Sequence, residues 1–438
     1  MQDLSDKRVV VMGLGRFGGG IGASRFLAEK NARVLVTDRA PREKLEASIK
    51  VLAGLPIEFR LGEHREEDFT QADLIVASPA VDPKKNPYLA AAAAVHIPVT
   101  TEIRLLIERL PNRDRTIGVT GSAGKSTVTA MIGHVLTKMY EHDGGAKVHV
   151  GGNIGGSLLD SLDQIQSDDW VVLELSSFML DSLAEDEWSP HIAVVTNILP
   201  NHLDRHGTFE NYVQAKQAIL RYQVEQDIAL LGRTVRHWES AARIWIVDNQ
   251  QTQVKLQIPG DHNQLNAHMA MALCTHLYPH RSQRDGLLAD FSGLDHRLQF
   301  VLERQGVRYY NDSKSTTPES AMLALQSWGQ GIVHVILGGF DKHSDFHPMA
   351  RFAANHSRTV YTIGATGDAI ADLCETAGTK CDVVRCGTLD RAVTEASIRV
   401  RCGDVVLLSP GCASWDQFDN YVERGKAFVN AVTGSVTS

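Results

Sequence analysis

Residues 116–127 read TIGVTGSAGKST, and the run VTAMIGHVL follows. The apolar TIGV predicts a buried strand, the glycines a tight turn, and the periodic apolar residues beyond Lys125 a helix. In that order they imply a parallel α/β sheet in which a row of backbone N–H groups and the positive end of a helix face one spot. Such a spot suits a phosphate chain, with Lys125 reaching the terminal phosphates and Ser126 or Thr127 holding Mg²⁺. The strict P-loop pattern asks for glycine five places before Gly124, where this chain has Val119. A glycine-rich turn without a ligand is the alternative. The placement of GKST at a strand-to-helix junction weighs against it.

Outward from this segment the same rhythm repeats. RVVVMGLG, ARVLVTD and DLIVASP alternate with helical material, including a helix expected from about Ala23 to Asn31. WVVLELSS and HIAVVTNI follow the glycine-rich turn, and HNQLNAHMAMALCTHL reads as a helix. From HRLQFV onward a hairpin-like pair, LQFVLERQ and VRYYNDS, leads into VHVILGG, TVYTIG, DVVRCG and VVLLSP. The expectation is an α/β protein of three domains in series: a Rossmann-like one over 1–99, a P-loop ATPase-type parallel sheet over 100–294, and a second Rossmann-like one over 295–438.

Composition bounds the function. A chain of 438 residues exceeds what one core normally holds. With 43 % hydrophobic and 22 % charged residues it falls in the globular class, and a net charge of -8 argues against a general nucleic-acid binder. The six cysteines form no CxxC pair and no zinc spacing, so reduced structural thiols are expected. KRVVVMG opens a strand with no apolar leader, and LAAAAAV is too short to cross a bilayer. A cytoplasmic protein is expected.

Three further segments carry candidate chemistry. GLGRFGGG matches GxGxxG through Gly13, Gly15 and Gly18, with Asp38 ending the next strand. Taken alone it proposes a dinucleotide site, but such a turn equally cradles another nucleotide diphosphate or simply lets helix and strand approach. Glu174, at the strand end in LELSS, suits Mg²⁺ ligation or is a solvated acid. NILPNHLDRHG places His202, Asp204 and His206 at another strand end, where caps and turns are the simpler reading. Residues 208–222, TFENYVQAKQAILRY, form an amphipathic helix capped by Thr208, with Phe209, Tyr212, Val213, Ile219 and Leu220 on one stripe and Lys216 among them. Either the lysine stem lies along apolar surface with its ammonium in water, or the head is withdrawn from solvent. In the second case its pKa falls, and the neutral amine can add CO₂ to give a carbamate, an anionic oxygen ligand for Mg²⁺.

Together VTGSAGKST, LELSSF, NILPNHLDRHG, YVQAKQAI, GDHNQLNA, HRLQFV, NDSKSTTPE, LGGFDK and LLSPGCASWDQF occur in the order found in the ATP-dependent muramyl ligases of peptidoglycan synthesis, which the chain resembles over nearly its whole length. NDSK and SPGCASWDQF are similar to the branch that adds D-glutamate to UDP-N-acetylmuramoyl-L-alanine. The resemblance implies that the first domain binds the UDP-precursor, the second ATP and the third the amino acid, with domain closure assembling the site. It implies ATP contacts from Gly121, Ser122, Ala123, Gly124, Lys125, Ser126 and Thr127, with Asn266, Arg297 and Asp312 at the adenosine. Mg²⁺ would be held by Ser126, Glu174, His202 and Lys216 as its carbamate, and Lys125, Glu174, His202 and Lys216 would carry catalysis. Gly15, Asp38, Arg39, Asn153 and His202 would face the UDP-precursor, and Lys314, Thr316, Lys342, Ser414 and Tyr421 the D-glutamate. A monomer without membrane or nucleic-acid partners is expected.

Departures from the family pattern are visible. GSAGKS stands where GTNGKS is commoner, so Ala123 offers no side-chain amide. Asn201 replaces the usual aspartate before His202, GLGRFGGGIGAS is richer in glycine than the family's turn, Tyr421 stands where some members have phenylalanine, and HSDFH after Lys342 is unusual. Two other classes stay open on the motifs alone: an NAD-dependent oxidoreductase, resting on GLGRFG with Asp38, and a nucleotide-binding regulator resting on GKST.

Overall fold

The computed structural model describes residues 3–15, 18–79, 81–83, 85–141, 145–248, 253–278, 286–342, 344–378 and 381–434, apart from the side chains of Glu141, Leu203 and Asp204. Arg16 and Phe17 of the first glycine-rich turn, His343 of HSDFH and the side chain of Asp204 therefore lie outside the described residues.

Runs of β-branched residues become strands, and three sheets form. The first joins β1 (Arg8–Met12), β2 (Arg33–Asp38), β3 (Ile57–Leu61), β4 (Leu74–Ala77) and β5 (Val99–Thr101) in the order β3-β2-β1-β4-β5. All its pairings are parallel. Alternate residues of β1 enter different cores: Val9 and Val11 pack with Leu27 and Val36, while Val10 and Met12 pack with Phe69 and Ile75. That is why RVVVM is apolar throughout rather than alternating.

The second sheet, also parallel, joins β6 (Thr116–Thr120), β7 (Val148–Gly152), β8 (Trp170–Glu174), β9 (Ile192–Val195), β10 (Ile228–Gly232) and β11 (Arg243–Val247) as β11-β10-β9-β6-β8-β7. The third joins β12 (Gln299–Arg304), β13 (Val307–Asn311), β14 (Val333–Gly338), β15 (Thr359–Ile363), β16 (Asp382–Gly387) and β17 (Val405–Leu408) as β12-β13-β17-β14-β15-β16. Here β12 alone is antiparallel, turned back by Gln305 and Gly306, both at positive φ (52° and 76°). The hairpin and the α/β series match the expectation.

By contacts the chain divides into two compact units, Met1–Thr252 with Asn266–Arg284, and Gln253–Leu265 with Asp285–Ser438. One apolar cluster explains why the first two sheets share a unit: Val9, Leu27 and Val36 belong to the same buried set as Leu173, Ala193 and Leu231. The third sheet has its own cores on both faces, around Val335 and Met349 on one side and Ile336 and Phe428 on the other.

One helix differs from its expected start. It spans Gly19–Glu29 rather than beginning near Ala23. Glycine is a poor helix former, but here close approach requires it: a Cβ at Gly20 would overlap the carbonyls of Gly13 and Leu14, and one at Gly22 would overlap Ser157. All six cysteines are free, and four are buried.

Candidate functional site

Because β6 lies between β8 and β9, the turn that follows it is flanked by the ends of both. Gly121 and Gly124 take φ of 144° and 82°, conformations that need glycine. A Cβ on Gly124 would come within 2.5 Å of Asn266 Oδ1, so Asn266, on helix Asp261–Leu277, abuts the turn. Lys125 curls back and donates from Nζ to the Ser122 carbonyl at 3.1 Å. Ser126 and the buried Thr127 open helix Lys125–Glu141.

The amide that Ala123 lacks comes from elsewhere. The Ala123 N–H donates to Asn197 Oδ1 at 3.0 Å, and Asn197 Nδ2 donates to the Ala123 carbonyl at 3.0 Å. Ser122 Oγ donates to the Leu199 carbonyl at 2.8 Å and lies 3.0 Å from the Tyr212 hydroxyl. Neither Asn197 nor Tyr212 was among the expected site residues. Tyr212 precedes Lys216 by one helical turn, a spacing at which side chains meet; Asn197 had only its strand-end position to signal it.

Lys216 is 1 % exposed, which overturns the reading that its ammonium reaches water. Its Nζ donates to Thr120 Oγ1 at 3.3 Å and lies 5.0 Å from the centroid of the Tyr212 ring. Burial, and then the nearby positive Lys125, push its pKa down to about 7, against the opposing pull of Glu174 and Asp181. A sizeable fraction of neutral amine therefore exists near neutral pH. Glu174 is 2 % exposed; its Oε1 accepts from Asn153 Nδ2 at 2.8 Å, while its buried Oε2 has no hydrogen-bond partner among the described residues. An orphaned carboxylate oxygen fits a hard cation. Among the described residues no group of three or more His, Cys, Asp or Glu could hold a metal, so an ion here would depend also on hydroxyls, a modified lysine and bound phosphate.

His202 is exposed, with φ of 52° and its N–H bonded to Asn201 Oδ1 at 2.9 Å. Asn201 thus fixes the backbone at the position where it replaces an aspartate. The imidazole stands edge-on to Phe178 at 5.4 Å, and Phe178 stacks on His206 at 5.4 Å. Tyr212 borders both histidines, at 6.4 Å from His202 and 5.4 Å from His206.

At the first sheet, Asp38 is occupied by its own turn. Its Oδ2 accepts from the N–H of Leu14 (2.9 Å) and Gly15 (3.3 Å), and its Oδ1 from Ala40 (2.8 Å). It shapes the glycine-rich segment, and Arg39 beside it is exposed. Asn153 is engaged with Glu174 through both its side chain and its N–H. Glu102, 7 % exposed, accepts a short hydrogen bond from Ser157, and burial raises its pKa to about 7.

In the third sheet β13, β17 and β14 are neighbours, so the segments after them, NDSK, SPGCASW and GFDK, emerge side by side. Asp312 is buried; it accepts from the Leu298 N–H at 3.0 Å and from Ser409 Oγ at 2.7 Å, and burial raises its pKa to about 6. It lines a cavity of about 220 Å³ with Arg297, Lys314, Ser315 and His262. Lys314 Nζ lies 5.8 Å from the Tyr421 ring, Ser414 is buried and Thr316 half-buried. Beneath them Arg424, 1 % exposed, donates to the carbonyls of Ser313 (2.9 Å), Cys412 (3.0 Å) and Ala413 (3.2 Å) and to Ser313 Oγ (3.0 Å). One buried guanidinium thereby ties two of the three segments together.

Three family models match successive parts of the chain. Residues 7–101 match the N-terminal domain model described as Mur ligase, MurD-like, residues 119–236 the Mur ligase middle domain, and residues 296–412 the Mur ligase, glutamate ligase domain. The chain is 36 % identical to the UDP-N-acetylmuramoylalanine--D-glutamate ligase of Koribacter versatilis, over 98 % of each chain. It is 37 % identical to the ligase of the same description from a Roseiflexus species, over 97 % of this chain and 98 % of the relative. Among solved structures, the fold is similar to UDP-N-acetylmuramate-alanine ligase MurC of Thermotoga maritima (TM-score 0.59, 20 % identity, covering 98 % and 100 % of the two chains). It is also similar to the MurF ligase of that organism in complex with ADP (TM-score 0.53, 17 % identity, covering both chains fully).

Proposed function

The chain belongs to the Mur ligase family, and from that premise we propose how its residues divide the work. It is an ATP-dependent ligase that adds D-glutamate to UDP-N-acetylmuramoyl-L-alanine in peptidoglycan synthesis. An amide cannot form from a carboxylate until its oxygen becomes a leaving group. The alanyl carboxylate attacks the γ-phosphate of ATP, giving an acyl phosphate and ADP, and the amine of D-glutamate then displaces phosphate.

In this proposal residues 1–99 take the UDP-precursor, 100–294 ATP and 295–438 the amino acid. The N–H groups of 121–127 and the Lys125 ammonium neutralise charge gathering on the transferred phosphoryl group, the main source of rate in such transfers. Asn266, Arg297 and Asp312 hold the adenosine. Gly15, Asp38, Arg39, Asn153 and His202 face the precursor, with Asp38 acting by shaping the turn. Lys314, Thr316, Lys342, Ser414 and Tyr421 receive D-glutamate, where two lysines match two carboxylates. His202 assists loss of a proton from the incoming amine.

Ser126, Glu174, His202 and Lys216, the last as a carbamate, would hold Mg²⁺, which when bound supplies positive charge to phosphate oxygens. The observation that carries this is the pairing of a buried, near-neutral Lys216 amine with the orphaned Glu174 oxygen. A monomer working in the cytoplasm completes the proposal; among the described residues no helix is long and apolar enough to cross a membrane.

The test is phosphate release from ATP with each substrate withheld in turn. Release that needs both D-glutamate and the UDP-precursor is expected. Release indifferent to the amino acid would point to a nucleotide-hydrolysing regulator, and a nicotinamide absorbance change without ATP consumption to an oxidoreductase.

A further inference from the structure

Two large aromatic side chains stand uncovered at the carboxyl edge of the third sheet. Phe340 is 40 % and Trp415 57 % exposed, and their ring centroids are 5.5 Å apart. The Phe340 N–H donates to the Ala413 carbonyl at 2.8 Å, so the segments carrying them are stitched together, and buried Arg424 grips that same carbonyl. Cys412, Ala413 and Ser414 are buried, whereas the indole that follows them is turned out to solvent. Core packing does not call for a tryptophan there.

Lys342 Nζ lies 4.6 Å from the centroid of the Trp415 ring. We infer that Trp415, braced by Phe340, is a positioning residue that holds the Lys342 ammonium ready for a carboxylate of the incoming amino acid. The inference rests on the assignment of Lys342 to the D-glutamate pocket. A π face attracts a cation without neutralising it. An acid at the same place would fix the lysine but compete for the charge the substrate carboxylate needs. A flexible four-carbon stem also loses rotamer freedom when its head is fixed, and the ring makes part of that loss before substrate arrives.

The experiment compares Trp415→Leu, Trp415→Phe, Lys342→Ala and the Trp415→Leu/Lys342→Ala pair in the full-length enzyme, reading KM for each substrate and kcat. Trp415→Leu is expected to raise KM for D-glutamate roughly three- to tenfold, the range of a partly exposed cation–π contact. KM for ATP and for the UDP-precursor should stay put, and kcat should change less than about twofold. Trp415→Phe, which keeps a ring, should recover most of the loss. Adding Trp415→Leu to Lys342→Ala should cost little more than Lys342→Ala alone.

An unchanged KM for D-glutamate in Trp415→Leu, or the same fold-rise with and without the lysine, overturns the inference while leaving Lys342 in the pocket. If Lys342→Ala itself leaves that KM unchanged, the pocket assignment fails and the inference with it. The side chain is largely outside the core, so melting temperatures of the Trp415 variants should match the parent's, and a drop would overturn a purely positioning role.

Discussion

The ammonium of Lys216 faces the Tyr212 ring, its Nζ 5.0 Å from the centroid, and donates to Thr120 Oγ1 at 3.3 Å. A buried amine so weakly compensated as a cation is poised to lose its proton or its positive charge.

Replacing Lys216 by alanine is expected to lower kcat by about 10² to 10³-fold, the range for removing one element of preorganised charge. Added formate or acetate should restore part of it by filling the vacated space with an anion. Full activity in Lys216→Ala would exclude the carbamate.

The same lysine sets a pH signature on stability. Its pKa is lowered from 10.5 in the unfolded chain to about 7 in the fold. Between those values the unfolded chain binds the extra proton, so stability rises with pH across the window. In CO₂-free buffer, urea unfolding of the parent should show about 2–3 kcal/mol more stability at pH 9 than at pH 7 from this group. Lys216→Met should lack that increment.

Glu102 acts in the opposite direction. Its pKa is raised from 4.5 to about 7, so stability from this group is full below pH 4.5 and is lost as pH climbs through 7. Glu102→Gln should therefore be more stable than the parent at pH 8, by about 3 kcal/mol at most, and nearly equal to it at pH 4. Thermal melts at the two values decide; a variant that is less stable at both would mean that the Ser157 contact outweighs burial.

Asn197→Ala removes both amide bonds to Ala123. At about 1 kcal/mol each, nucleotide affinity should fall roughly five- to thirtyfold, with the KM for D-glutamate unaffected. Calorimetric titration with ADP measures it, and an unchanged affinity would show that the turn holds its shape unaided.

Arg424→Lys keeps the charge but loses the fork that reaches three carbonyls and a hydroxyl. Stability should drop by about 2–4 kcal/mol, as expected for buried acceptors left unpaired. Chemical denaturation of the variant provides the measurement.

The strands read from the sequence were legible because they are short apolar runs closed by glycine, proline or a polar cluster, as at RVVVMG, TIGVTG and VVLLSP, whereas β3 (IEFRL) and β11 (RIWIV), at sheet edges and largely unburied, carry charge and were missed. The phosphate-type turn was legible because its glycines have a local conformational reason. Lys216 was legible only as an anomaly on an apolar stripe. Its surroundings come from Thr120, 96 residues earlier, a partner that periodicity does not reveal. Asn197 escaped because its value lies in a gap left by Ala123, and a compensation between distant positions leaves no mark in either segment. The helix start at Gly19 escaped because propensity argues against glycine, while tight contact with Gly13, Leu14 and Ser157 demands it.

The adjacency of β13, β17 and β14 has an evolutionary corollary. Three short turns, leaving neighbouring rails of one rigid frame, carry nearly all the side chains proposed to greet the incoming monomer. Descendants can therefore exchange that monomer by drift in a few codons at one rim, while the frame and the phosphate-type turn after β6 are inherited untouched.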